Sequence, residues 1–180
     1  MSNTIENSFA LDLEAVRRRA REHMKDGAVT AANKSDHARV IEVLNDSLAT
    51  EIICVMRYKN HYFAAKGPRG KIVAEEFLQH AAEEQQHADQ LAERIDQLGG
   101  VPDLDPAHIT KRSHTEYLPG IELKQMLKDD LVAERIAIET YTEIIRWLGD
   151  ADPTTRRVFE DILAKEEEHA DDLSKLLEDL

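Results

Sequence analysis

Hydrophobic residues recur along most of the chain at steps of three and four. That is the spacing of one buried helical face. The first long run, over about 36–65, carries Ile41, Leu44, Leu48, Val55, Tyr58 and Tyr62. The second, over about 71–98, carries Phe77, Ala81, Ala88, Leu91, Ile95 and Leu98. The third, over about 121–148, carries Leu123, Leu127, Leu131, Ile138, Tyr141, Ile145 and Leu148. The fourth, from Pro153 to the end, carries Val158, Ile162, Leu173 and Leu176. Four helices are predicted, with a shorter one over about 11–24 in front of them. No alternating stretch predicts a strand.

Punctuation between the runs sets the topology. Gly67-Pro68-Arg69-Gly70 reads as a tight break and Gly149-Asp150-Ala151-Asp152-Pro153 as a short turn. Asp152 is the expected N-cap of the fourth helix, with Pro153 at its first position. Residues 101–120 contain Pro102, Pro106 and Pro119-Gly120 and read as a long connection. A four-helix bundle with one crossover between its second and third helices needs such a connection. The domain reading is a bundle over 36–180 preceded by an extension over 1–35. Residues 1–10 are expected to be disordered.

Each of the four seams is broken once by a glutamate: Glu51, Glu84, Glu134 and Glu166. On the second and fourth helices a histidine follows three residues later, giving Glu84-x-x-His87 and Glu166-x-x-His169. Residues three apart share a helical face, so each fragment aims a carboxylate and an imidazole at one point. The plan repeats: Glu51 and Glu134 are 83 positions apart, Glu84 and Glu166 are 82 apart, and a tyrosine follows seven residues after each of Glu51 and Glu134. Two similar hairpins would bring four glutamates and two histidines to one centre.

A carboxylate in a bundle core costs several kcal/mol unless it is paired or metal-bound. Four of them balance two divalent cations, two bridging and two terminal. A carboxylate-rich set with one imidazole per ion suits iron or manganese, and the pattern is that of di-metal carboxylate bundles. Tyr58 and Tyr141 are expected to hydrogen-bond ligand carboxylates, and Asp130 to orient a histidine. Glu83, Glu167 and Glu168 read as a solvated or supporting face. His23, His37, His61, His80, His108 and His114 lack the matching spacing and read as surface or capping residues.

Composition narrows the function. The 180 residues carry a formal net charge of −13, which argues against a phosphate-tracking surface and suits a protein that handles cations. Cys54 is the single cysteine, so an intrachain disulfide, a zinc knuckle or a CxxC motif is excluded. No run approaches the roughly 20 apolar residues needed to span a bilayer, and the chain reads as cytoplasmic.

The motifs Asn45-Asp-Ser-Leu-Ala-Thr-Glu51, Glu84-x-x-His87-Ala-Asp, Leu98-Gly-Gly-x-Pro102, Asp130-Leu-Val-Ala-Glu134 and Glu166-Glu-x-His169 resemble the bacterioferritins over about residues 36–178. The resemblance implies an all-α, ferritin-like four-helix bundle. It implies that Glu51, Glu84, His87, Glu134, Glu166 and His169 are the catalytic metal ligands of a ferroxidase centre. The substrates would be Fe(II) with O₂ or H₂O₂, the metal two Fe ions per subunit with Mn as an alternative, and the product a mineral stored in a hollow homo-oligomer. Two departures change the expectation. Gln85 stands where the family's haem-binding Met follows the glutamate, so no haem is expected. Only 11 residues follow His169, which leaves no fifth helix. With the N-terminal extension, this resembles Dps-like proteins carrying a bacterioferritin-type site. A 12-mer is therefore favoured over a 24-mer or a dimer. The competing readings are a rubrerythrin-like peroxidase, a di-manganese catalase and a Dps-type DNA-protection protein. Ala137 stands where the first would carry an extra glutamate. The last would rely on Arg17, Arg18, Arg19 and Arg21.

Overall fold

A computed structural model describes residues 9–180, and the expectation for residues 1–8 lies outside it. All elements among the described residues are helical. A short α1 (Leu13–Arg19) and one 3₁₀ turn (Met24–Asp26) precede four long helices. These are α2 (His37–Ala64), α3 (Gly67–Gln97), α5 (Leu123–Leu148) and α6 (Pro153–Glu178), with a further short helix, α4 (Pro106–Arg112), inside the crossover. Helices α2 and α3 form one hairpin, α5 and α6 the other, and the hairpins meet through α2–α5 and α3–α6.

Three boundaries follow the sequence expectation closely. Asp36 accepts from the Arg39 amide to start α2, and Asp152 accepts from the Thr155 amide at 3.0 Å to start α6. Gly149, at φ 48°, ends α5. Two others differ. The Gly67–Gly70 segment is the first turn of α3 and not a break, because Pro68 sits in the first turn, where its missing N–H is not needed. In the crossover, Asp105 caps the Ala107 amide at 2.9 Å and Pro106 opens α4 in the same way.

The core has two apolar halves. One is built on Leu44, Leu48, Leu91, Ile95, Tyr141, Phe159 and Ile162. The other is built on Tyr58, Phe77, Met126, Leu127 and Leu173. Each large apolar side chain fully buried here contributes about 1.5–3 kcal/mol. On every long helix the seam glutamate falls between residues of the two halves. Glu51, Glu84, Glu134 and Glu166 therefore form a polar layer across the middle of the bundle.

The crossover runs along α2 and is held by that helix's polar side chains. Asn45 Oδ1 accepts from the Asp103 amide (2.7 Å), Thr50 Oγ1 from His114 (2.9 Å) and Asn60 Oδ1 from Gly120 (2.7 Å). Arg57 Nη1 donates to the Glu116 carbonyl at 3.1 Å, and His61 Nε2 lies 3.0 Å from the Leu118 carbonyl. Gly120 permits this approach, since a Cβ there would lie 2.4 Å from the Met126 sulfur. His61 and His80 are both buried, which corrects the expectation of surface positions. The crossover covers the first, and α6 covers the second through His169.

Asp130 orients a histidine, but that histidine is His61 (2.8 Å to Nδ1) and not a member of either Glu-x-x-His pair. Its other oxygen accepts from Arg57 Nε at 2.8 Å, and all three side chains are excluded from water. Replacing Asp130 with Ala would leave a buried guanidinium without its counter-charge. The expected loss of unfolding free energy is about 3–5 kcal/mol, measurable by urea denaturation. A loss below about 1 kcal/mol, typical of an exposed pair, would contradict this role.

Candidate metal centre

The polar layer brings six predicted residues together. Glu51 comes from α2, Glu84 and His87 from α3, Glu134 from α5, and Glu166 and His169 from α6, all with 4% or less of their surface exposed. His87 Nδ1 lies 3.4 Å from Glu51, 3.5 Å from Glu84 and 3.0 Å from Glu166. His169 Nδ1 lies 3.1 Å from Glu84, 3.4 Å from Glu166 and 4.0 Å from Glu134. The donor atoms fall into two groups. One is Glu51, Glu84, His87 and Glu166; the other is Glu84, Glu134, Glu166 and His169. Glu84 and Glu166 belong to both, the position of bridging carboxylates. Glu51 and Glu134 belong to one each, the position of terminal ones.

The donor set fits a pair of divalent cations. Glu51 Oε2, Glu84 Oε2, His87 Nδ1, Glu134 Oε2 and both Glu166 oxygens are buried without a hydrogen-bond partner. Buried polar atoms are rarely left so, and these converge. Three side chains orient the set. Tyr58 donates its hydroxyl to Glu134, and Tyr141 donates to Glu51. The two tyrosines thus cross between hairpins, each serving the terminal glutamate of the other. Glu83 accepts from His169 Nε2 at 2.7 Å, which keeps Nδ1 turned toward the centre. A cleft of about 260 Å³, lined by Glu83, Gln86, His87, Gln90, Asp161, Ile162 and Lys165, reaches His87 from the α3–α6 face.

Burial and the charge of Glu84 push the Glu51 carboxyl up to about 8. Burial, with Glu84 and Glu166, raises Glu134 well above the carboxylate range. Burial works against charge on His169, but the neighbouring Glu166, Glu84 and Glu134 carboxylates outweigh it and raise it to about 11. His87 is raised in the same sense: burial opposes its charge, and Glu166, Glu51 and Glu84 overcome it. Glu84 and Glu166 stay below the ordinary value; burial opposes their charge, and the groups beside them prevail, Glu51 with His169 and His87 for Glu84 and the two histidines for Glu166. Without cations, the layer balances itself with protons on Glu51, Glu134, His87 and His169.

His80 adjoins this layer. Its Nδ1 is 3.2 Å from the Tyr58 hydroxyl, and its ring stacks on His169 at 4.0 Å between centroids. Burial and the neighbouring His169 push it down to about 3. Sequence spacing held a signal for it, since 80, 84, 87 and 91 continue one helical seam.

Fold and donor set together define a four-helix bundle with buried carboxylate and imidazole groups able to hold metal ions. Residues 41–180 match the model of the ferritin-like domain, and the chain belongs to that family. It is 32% identical over 142 residues to the bacterioferritin of Desulfovibrio desulfuricans, covering 77% of this chain and 75% of that one. It is 31% identical over 151 residues to a nutrient stress-induced DNA-binding protein of Nostoc sp., covering 81% and 80%. Among solved structures, a dodecameric thioferritin, the bacterioferritin-related protein of Bacteroides fragilis, superposes with a TM-score of 0.78 at 34% identity, covering 81% of this chain and 88% of that one.

The proton balance predicts a pH dependence. Glu51 and His169 bind protons more tightly in the folded chain than at their ordinary values of 4.5 and 6.5. The stability they add is complete below those values and is lost as pH rises toward about 8 and about 11. Glu84 and Glu166 act in the opposite sense, but only below 4.5. The metal-free protein should therefore melt at progressively lower temperature from pH 5 to pH 9, and Glu51→Gln should flatten part of the slope. A midpoint that rises over this range in calorimetry would contradict the assignment.

Proposed function

We propose that this protein oxidises Fe(II) with O₂ or H₂O₂ at the pair of sites in its polar layer and keeps the product inside a shell of identical chains. One observation carries the reading: six converging donors, two of them shared, with the buried oxygens of four carboxylates left without partners. Iron is here both substrate and cargo, and once bound it supplies the electrons that reduce the oxidant. The chain's part is to bind, orient and exclude. Glu84 and Glu166 draw two cations together, Glu51 and Glu134 complete their charge, and His87 and His169 each add one nitrogen. Tyr58 and Tyr141 hold the terminal carboxylates by hydrogen bonds, and the two apolar halves of the core keep bulk water out. Manganese would fit the same donors. No haem enters the reading, since Gln85 is exposed and donates to Asp89 at 2.9 Å.

The rival readings find less support. Ala137 is buried and offers no seventh carboxylate for a rubrerythrin-like centre. A DNA-binding role would rest on the exposed arginines of α1, against a net charge of −13. For assembly, the related dodecamer and the exposed apolar residues Ile72, Val132 and Trp147 favour a 12-mer. No described helix is long and apolar enough to cross a membrane.

Two measurements test this. In aerobic stopped-flow, Glu84→Ala should reduce Fe(II) oxidation to the rate of iron in buffer. Tyr58→Phe should slow it about 10–100-fold, as loss of a ligand-orienting bond does. Glu84→Ala at the wild-type rate would refute the site. Light scattering should give about 246 kDa for twelve chains of 20.5 kDa. A mass of two or twenty-four chains would refute the 12-mer.

A further inference from the structure

Helix α1 has no cover in its own chain. Leu13 and Val16, with Ala20 just past the helix end, follow steps of three and four, yet no residue of α1 is buried. Asp12 caps the helix through the Ala15 amide at 3.0 Å. Seven residues make a helix that is marginal in water unless a surface packs against it. The segment behind α1 is anchored: the Lys34 amide donates to the Ala151 carbonyl at 3.0 Å, and Val29 packs on the core. An uncovered helix is thus held at a fixed point of the bundle.

Its charge is opposite to that of the rest of the chain. Residues 15–25 hold five cations (Arg17, Arg18, Arg19, Arg21 and Lys25) and one anion, Glu22. That is a net +4 in a chain of −13, which leaves −17 on the other residues. The outer face of α3 is the reverse. Glu75, Leu78, Ala82, Asp89, Glu93 and Asp96 share one helical face, and all six are exposed. From Ile72 to Asp105 the sole lysine or arginine is Arg94, which is buried and held by Asp152 at 3.0 Å. Neither face is neutralised within the chain. Arg21 donates to the Arg17 carbonyl (2.7 Å), Asp89 accepts from Gln85 (2.9 Å) and Glu93 from Gln97 (3.3 Å), all uncharged partners.

We infer that α1 of one chain docks on the outer face of α3 in a second copy. Leu13 and Val16 cover Leu78 and Ala82, and the arginines lie against Glu75, Asp89 and Glu93. Each face has what the other lacks, an apolar strip beside unpaired charge of opposite sign. Nucleic acid is the other polyanion such arginines could meet, but the −17 on the remaining residues repels phosphate. The contact belongs to the assembly part of the proposed function and is independent of the metal layer.

The test uses the full-length protein with Val16→Cys/Leu78→Cys, two exposed positions, since Cys54 is buried. Mild oxidation should join chains, giving bands of two chains of 20.5 kDa or more on a non-reducing gel, and neither single-cysteine variant should match that yield. Adding Arg17→Glu/Arg18→Glu/Arg19→Glu should lower the yield about tenfold. Further adding Glu75→Lys/Glu93→Lys should restore it. A disulfide closed within one chain overturns the inference, as does a yield unaffected by charge reversal. A duplex DNA retarded by wild type and released by the arginine variant, with no cross-link, assigns α1 to nucleic acid and overturns it too. A 12-chain mass without cross-linking leaves the shell standing and removes this contact. Cross-linked protein with a two-chain mass keeps the contact and refutes only the 12-mer.

Discussion

Four carboxylates and two imidazoles, shut between two apolar halves of one bundle, cannot all keep their solution charge. This constraint organises the molecule. Burial raises Glu51 and Glu134 until they hold protons, and the ionised Glu84 and Glu166 hold protons on His87 and His169. The metal-free layer is then neutral: two carboxylates against two imidazolium ions. Two divalent cations give the same neutrality, with all four carboxylates ionised and both imidazoles bare. On the proposed reading, the layer would trade protons for metal without accumulating charge.

The rest of the structure keeps this layer in register. Tyr58 and Tyr141 tie each hairpin's terminal glutamate to the other hairpin. Glu83 sets the ring of His169. On the far side of α2, the buried Arg57–Asp130–His61 group joins α2 to α5, and Arg57 and His61 also reach the crossover backbone. It contains a charge pair of its own and stays out of the metal layer. Arg57 and Tyr58 are neighbours in sequence yet serve different networks, because adjacent helical residues point in different directions.

Much of this was legible in the sequence. The four glutamates stood out because each broke an apolar seam at a position where water could not reach it. The Glu-x-x-His spacing placed both histidines, and the repeated seven-residue offset picked out both tyrosines. What escaped reading depended on contacts between distant segments. His61 and Asp130 lie 69 residues apart, and nothing local marks them as partners. His80 is buried by α6, so its own helix gave only a seam position. Helix α4 lies inside the stretch that reads as a long connection, because a proline marks a helix start as readily as a break; here Asp105 supplies the cap and Pro106 opens the helix. Pro68 has the same double meaning at the start of α3.

The central claim is that cations replace protons in the buried layer. Anaerobic addition of Fe(II) to metal-free protein in weakly buffered solution at pH 7 measures this directly, with released acid followed by a pH indicator. The account predicts about two protons released per ion as the paired sites fill, since ligands must lose their protons to bind metal. Glu84→Ala/Glu166→Ala should release far fewer. Iron uptake without acid release, or equal release from that variant, would contradict the account.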